Sequence, residues 1–123
     1  MSGLIGCLAA LSALCAQGQE VRLDGLQIVH ALAGRSALMV NDRGAPLTSG
    51  AAERFYRDGR YTDNGDRVRR KGSYHVSNDQ ICVTRSGEDA RMCRYLYKTG
   101  PDYYFKDVTG SSSLTRLNIT DLE

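Results

Sequence analysis

The residues of this chain with the chemistry to form a site are its two histidines, its four cysteines and a concentration of tyrosines near the C-terminal end. A histidine can serve as a general base or a metal ligand near neutral pH. His75 would need an activated hydroxyl beside it, and the sequence brings neither Ser73 nor Ser86 toward it with a carboxylate in support. His30 is the only other histidine, so no His/Cys set at metal-ligand spacing exists. These residues predict no catalytic centre, no metal and no cofactor. Tyr95, Tyr97, Tyr103 and Tyr104, with Phe105 beside them, lie in two adjacent predicted strands. Tyrosine offers a large contact area and a polar tip at low entropic cost, which suits a binding surface. It is also a favoured strand residue whatever the function. Together with His75, the four tyrosines are the candidate binding residues.

The element that must position them is Gly72 to Cys93, which reads as two consecutive hairpins. Asn and Asp tolerate the positive φ of a two-residue turn. Centring a turn on Asn78-Asp79 sets Val76 opposite Ile81, His75 opposite Cys82 and Tyr74 opposite Val83. Because side chains alternate along a strand, Tyr74, Val76, Ile81 and Val83 then share a core face. A second turn within Ser86 to Asp89 sets Val83 opposite Met92 and Cys82 opposite Cys93. The register that extends the apolar face also aligns two sulfurs, which predicts a Cys82–Cys93 disulfide.

A disulfide needs an oxidising compartment, and the N-terminus supplies a route to one. The first nineteen residues contain no charged side chain and are rich in Leu, Ala, Ile and Cys, with charge beginning at Glu20. An apolar core from Leu4 to Ala16 followed by small residues is the pattern of a secretory signal peptide. The predicted division is a signal peptide over 1–18 and one β domain over 19–123, periplasmic or secreted, with no membrane span remaining after processing. The net charge of +2 is too small to imply a polyanionic partner. The run Arg67, Arg69, Arg70, Lys71 is partly neutralised by Asp63 and Asp66, and reads as a solvated loop and strand edge rather than a nucleic-acid patch.

In chain order, Asp24 can cap a short helix that Gly34 would stop, with Leu26, Val29, Leu32 and Ala33 as its apolar stripe. Ser36 to Val40 predicts a strand. Phe55 and Tyr61 flank an Asp58-Gly59 hairpin and could share the core. After the central hairpins, Arg91 to Tyr97 alternates, with Arg94 interrupting the face of Met92 and Leu96, and two further strands follow. Regular turns and no later helix predict a mainly β fold: an antiparallel meander of about seven strands curling into a small barrel or folded sheet, with one short N-terminal helix.

This layout resembles small exported bacterial β-rich domains of unknown function. The matching elements are Leu32-Ala33-Gly34, Phe55-Tyr56-Arg57-Asp58-Gly59, Gly72-Ser73-Tyr74-His75-Val76, Ile81-Cys82-Val83 and Cys93-Arg94-Tyr95, with Tyr74 where such domains more often carry Trp. The resemblance implies hairpins and a disulfide, and no catalytic residues. The leading expectation is a noncatalytic binding or structural module of the bacterial envelope whose partner is an envelope or extracellular protein. A lipocalin-like carrier of a small ligand would need an enclosed apolar cavity of at least ~300 Å³. A secreted enzyme inhibitor would use an exposed loop such as 41–50 or 86–90.

Overall fold

The computed structural model describes residues 19–47, 52–65, 68–110 and 113–122. The signal peptide expected over 1–18 lies outside the described residues. Nine strands and one helix form within them: β1 (Glu20–Arg22), α1 (Gly25–Leu32), β2 (Arg35–Val40), β3 (Ala52–Phe55), β4 (Arg60–Asp63), β5 (Arg70–Ser77), β6 (Gln80–Arg85), β7 (Arg91–Thr99), β8 (Asp102–Asp107) and β9 (Thr115–Asp121). The antiparallel order β7-β6-β5-β4-β3-β2-β9-β8 returns from β8 to β7, so these eight strands close a barrel. The expected seven or so strands undercount it. β1 is too short to show alternation, yet it pairs with Tyr97 to Thr99 on the edge of β7, while β6 pairs with Arg91 to Arg94.

The hairpin registers are those the turns dictate. Asn78 and Asp79 both adopt positive φ, 53° and 57°, the geometry of a tight hairpin turn whose twist matches its strands. His75 faces Cys82, and Cys82 faces Cys93. Gly72, inside β5, has a different role. A Cβ there would run into the Thr84 carbonyl oxygen and approach the Arg85 Cα to 2.9 Å, so the β5–β6 backbones can approach this closely only because a glycine stands there.

Helix α1 lies across one end of the barrel. Asp24 Oδ1 accepts from the Gln27 amide at 2.9 Å and the Asp24 amide in turn donates to Gln27 Oε1, a reciprocal capping box. The Gly25 amide also donates to Asp79 at 2.8 Å, which ties the start of the helix to the β5–β6 turn. That tether sets the helix rotation. Ile28, Ala31 and Leu32 are buried, whereas Leu26 and Val29 are 68% and 40% exposed. The apolar stripe expected through Leu26 and Val29 is therefore rotated: the inward face uses the equally regular 28, 31, 32 spacing. Gly34, at φ 78°, turns the chain into β2.

Beneath the helix the barrel axis is filled. Leu23, Ile28 and Leu32 meet Phe55, Tyr61, Ile81, Val83, Leu96, Phe105 and Leu117 in one cluster. The Phe55 and Tyr61 rings are 5.5 Å apart, and Tyr74 meets Phe55 edge-on at 5.2 Å. The β3–β4, β5–β6 and β7–β8 turns surround this plugged end. The longer β2–β3, β4–β5, β6–β7 and β8–β9 connections surround the opposite end, the mouth. No helix among the described residues is long and apolar enough to cross a membrane.

Candidate functional site

One step from the apolar plug toward the mouth, inward positions change from apolar to charged. Glu53, Asp63, Arg85, Arg94 and Asp107 each stand two residues from a fully buried core residue on the same strand: Phe55, Tyr61, Val83, Leu96 and Phe105. Alternation with period two therefore points them to the same side. Arg70 stands two residues from Gly72 on β5 and so faces the same side as that residue. The result is a belt of opposed charges that runs from the barrel interior, where Glu53, Asp63 and Arg94 are buried, to the rim, where Asp107 is exposed.

Glu53 and Arg94 form its most buried pair, each 4% exposed. Arg94 Nη1 donates to Glu53 Oε2 at 2.8 Å and Nη2 to Oε1 at 2.5 Å, a two-pronged bond between strands distant in sequence. The guanidinium lies 3.9 Å from the centre of the Phe105 ring, adding a cation–π contact. Burial opposes the Arg94 charge, but the Glu53 carboxylate more than offsets it and keeps the guanidinium firmly protonated. Arg94 Nε has no hydrogen-bond partner among the described residues. Leaving such a donor bare when buried costs about 1–3 kcal/mol.

Asp63 organises the other half of the belt. It accepts from Tyr61 Oη at 2.7 Å, Arg70 Nε at 2.7 Å, Arg85 Nη2 at 3.0 Å and the Gly65 amide at 3.1 Å. Burial raises its carboxyl pKa. The bonds from Arg70, Tyr61, Gly65 and Arg85 together outweigh that and hold it well below the usual carboxylate range. Burial, with the Glu53 and Asp63 charges, pushes the Tyr61 phenol far above its ordinary value. Near neutral pH Asp63 is thus an anion and Tyr61 a neutral donor, and this pair fixes structure rather than shuttling protons.

Above the belt opens a cavity of about 250 Å³ whose wall includes Met39, Met92, Phe105, Arg85, Arg94 and Asp107. The barrel interior is thus packed, with a small pocket of mixed polarity at one end.

Most of the sequence-derived candidates lie elsewhere, on the outward face of their strands. Cys82 and Cys93 form the expected disulfide between β6 and β7, with Cα atoms 4.0 Å apart. Tyr95, Tyr97 and Tyr104 share the outer wall of β7 and β8. Tyr95 and Tyr97 meet edge-on at 6.5 Å, Tyr97 faces Tyr104 across the strands, and Arg22 from β1 stacks 4.5 Å from the Tyr95 ring. Tyr103 does not join them. Strand alternation turns it inward, where it packs against the core cluster with Lys98 5.4 Å from its ring. His75 is exposed on the outer wall of β5, separated from β7 by β6. Among the described residues no group of three or more His, Cys, Asp or Glu side chains could hold a metal ion.

Two sequence expectations change. Asp63, read as partly neutralising a solvated basic run, ends β4 and is buried; Arg70, expected on that solvated edge, binds it from inside. The residue singled out as an interruption, Arg94, joins the inner belt. Its signal is present in the sequence as a charge standing in core phase between Met92 and Leu96, repeated by Glu53 ahead of Phe55. No protein-family model, curated protein or solved structure matches the chain.

Proposed function

We propose that the chain is a noncatalytic, exported binding module of the bacterial envelope that holds an envelope or extracellular protein against the wall formed by β1, β7 and β8. The observation that carries this reading is the contiguous surface of Tyr95, Tyr97 and Tyr104 with Arg22 stacked on it. Tyrosine and arginine are enriched among the residues that dominate binding energy at protein interfaces. The Cys82–Cys93 bridge on the adjoining strands stiffens this wall, so little ordering entropy remains to be lost on contact. The filled barrel axis counts against a lipocalin-like carrier, whose ligand would need the space that Phe55, Tyr61 and Leu96 occupy.

The test is affinity capture from an envelope extract with wild-type protein and with a variant carrying Tyr95→Thr, Tyr97→Thr and Tyr104→Thr. Threonine keeps a strand-favouring residue at each position, and circular dichroism checks that the variant is folded. Loss of at least tenfold of a specifically captured protein supports the reading. An unchanged capture profile from a folded variant rejects it.

A further inference from the structure

We propose that the mouth cavity is a binding site for a small zwitterion of amino-acid size, with its carboxylate at Arg94, its ammonium toward Asp107 and its apolar part between Met39 and Met92. The site is separate from the outer tyrosine wall, so each reading stands or falls alone.

Four observations converge on this chemistry. Arg94 is 4% exposed and forms part of the cavity wall; both its terminal nitrogens donate to Glu53, and its Nε has no hydrogen-bond partner among the described residues. Asp107 stands directly opposite Arg94 in the β7–β8 register, is exposed at the rim and makes no ion pair among the described residues. Opposed residues on neighbouring strands are about 5 Å apart at Cβ, so the cavity wall carries a cation and a carboxylate on adjacent strands. Charge decides between classes of ligand. The carboxylates of Glu53 and Asp107 balance the guanidinium groups of Arg85 and Arg94 in the cavity wall. A bare anion or bare cation would therefore meet no net attraction, whereas a molecule bearing both charges finds a partner for each.

Size and lining complete the fit. The volume of about 250 Å³ equals roughly eight water molecules at ~30 Å³ each, close to one apolar amino acid. Met39 and Met92 are unbranched and polarisable, and adapt to aliphatic chains of differing shape.

The test is a titration of the whole protein, followed by amide and arginine Nε–H correlation spectra, with three isosteric probes: leucine, leucinamide, which lacks the carboxylate, and 4-methylpentanoate, which lacks the ammonium. Leucine is expected to shift the Arg94 Nε–H and the mouth ends of β3, β7 and β8, and to bind at least tenfold more tightly than either single-charge analogue. In Asp107→Asn, an exposed substitution whose fold is checked by its own spectrum, leucine is expected to fall to the affinity of 4-methylpentanoate. Equal affinity for the three probes, leucine binding unchanged in D107N, or an Arg94 Nε–H that never shifts would each overturn the proposal. The last result would leave the cavity filled by water only.

Discussion

Asp63 is almost completely buried and yet accepts bonds from Tyr61, Arg70, Arg85 and the Gly65 amide. Its carboxyl pKa is lower in the folded chain than the ~3.9 of an unfolded aspartate. The sign of the linkage follows. The stability it contributes is fully present above about pH 4 and is lost as pH falls through the folded value. In Asp63→Asn that contribution is absent, so the difference in unfolding free energy between wild type and D63N should be constant from neutral pH down to about 4 and narrow below it. Urea unfolding at a series of pH values measures this, and a gap that widens on acidification would contradict it. Asp63 also shows why part of the interior is hidden in the sequence. Read alone, Asp63 followed by Asn64, Gly65 and Asp66 signals a loop. Its burial depends on Arg70 and Arg85, and the second lies 22 positions away, a pairing that local pattern cannot specify.

Among the elements, the β5–β6–β7 hairpins are legible because turn chemistry, apolar alternation and the two cysteines agree on one register. Helix α1 is legible in extent, from its Asp24 cap to Gly34, but not in rotation, because two apolar stripes fit its short length and the Asp79 tether selects one. The tyrosine strands are legible as strands. Treating Tyr103 and Tyr104 as one patch overlooks that consecutive residues face opposite sides, which the pairing of Tyr104 with Tyr97 and of Tyr103 with Lys98 makes explicit. The sharpest prediction at this scale concerns Gly72. Gly72→Ala forces a methyl group against the Thr84 carbonyl and Arg85 backbone, atoms that cannot swing aside as a side-chain tip would. Overpacking of this kind costs about 1–3 kcal/mol, and a lower denaturation midpoint with an unchanged slope is expected. An alanine variant as stable as wild type would mean that β5 and β6 separate there without penalty.

For the whole molecule, closure rests on the β2–β9 pairing, which joins chain segments from opposite ends of the domain. The disulfide is a local staple by comparison, linking residues 11 apart within one hairpin. By chain entropy it contributes about 3 kcal/mol. Reduction is therefore expected to lower the thermal midpoint by roughly 12–24 °C at ~4–8 °C per kcal/mol, while the far-ultraviolet spectrum at low temperature stays that of the barrel. Unfolding on reduction would show that closure depends on the staple; an unchanged midpoint would remove its stabilising role. The inner charges add a constraint of another kind. Sliding one strand past its neighbour by two residues keeps every apolar side chain facing inward, so hydrophobic patterning alone does not forbid the slip. Such a slip moves side chains by about 6.7 Å along the strand, far enough to part Arg94 from Glu53 and leave two buried charges without partners, a penalty of about 3–5 kcal/mol. The pair thus acts as a key to the stagger of the barrel, telling the intended closure from the near-miss that an all-apolar interior would accept.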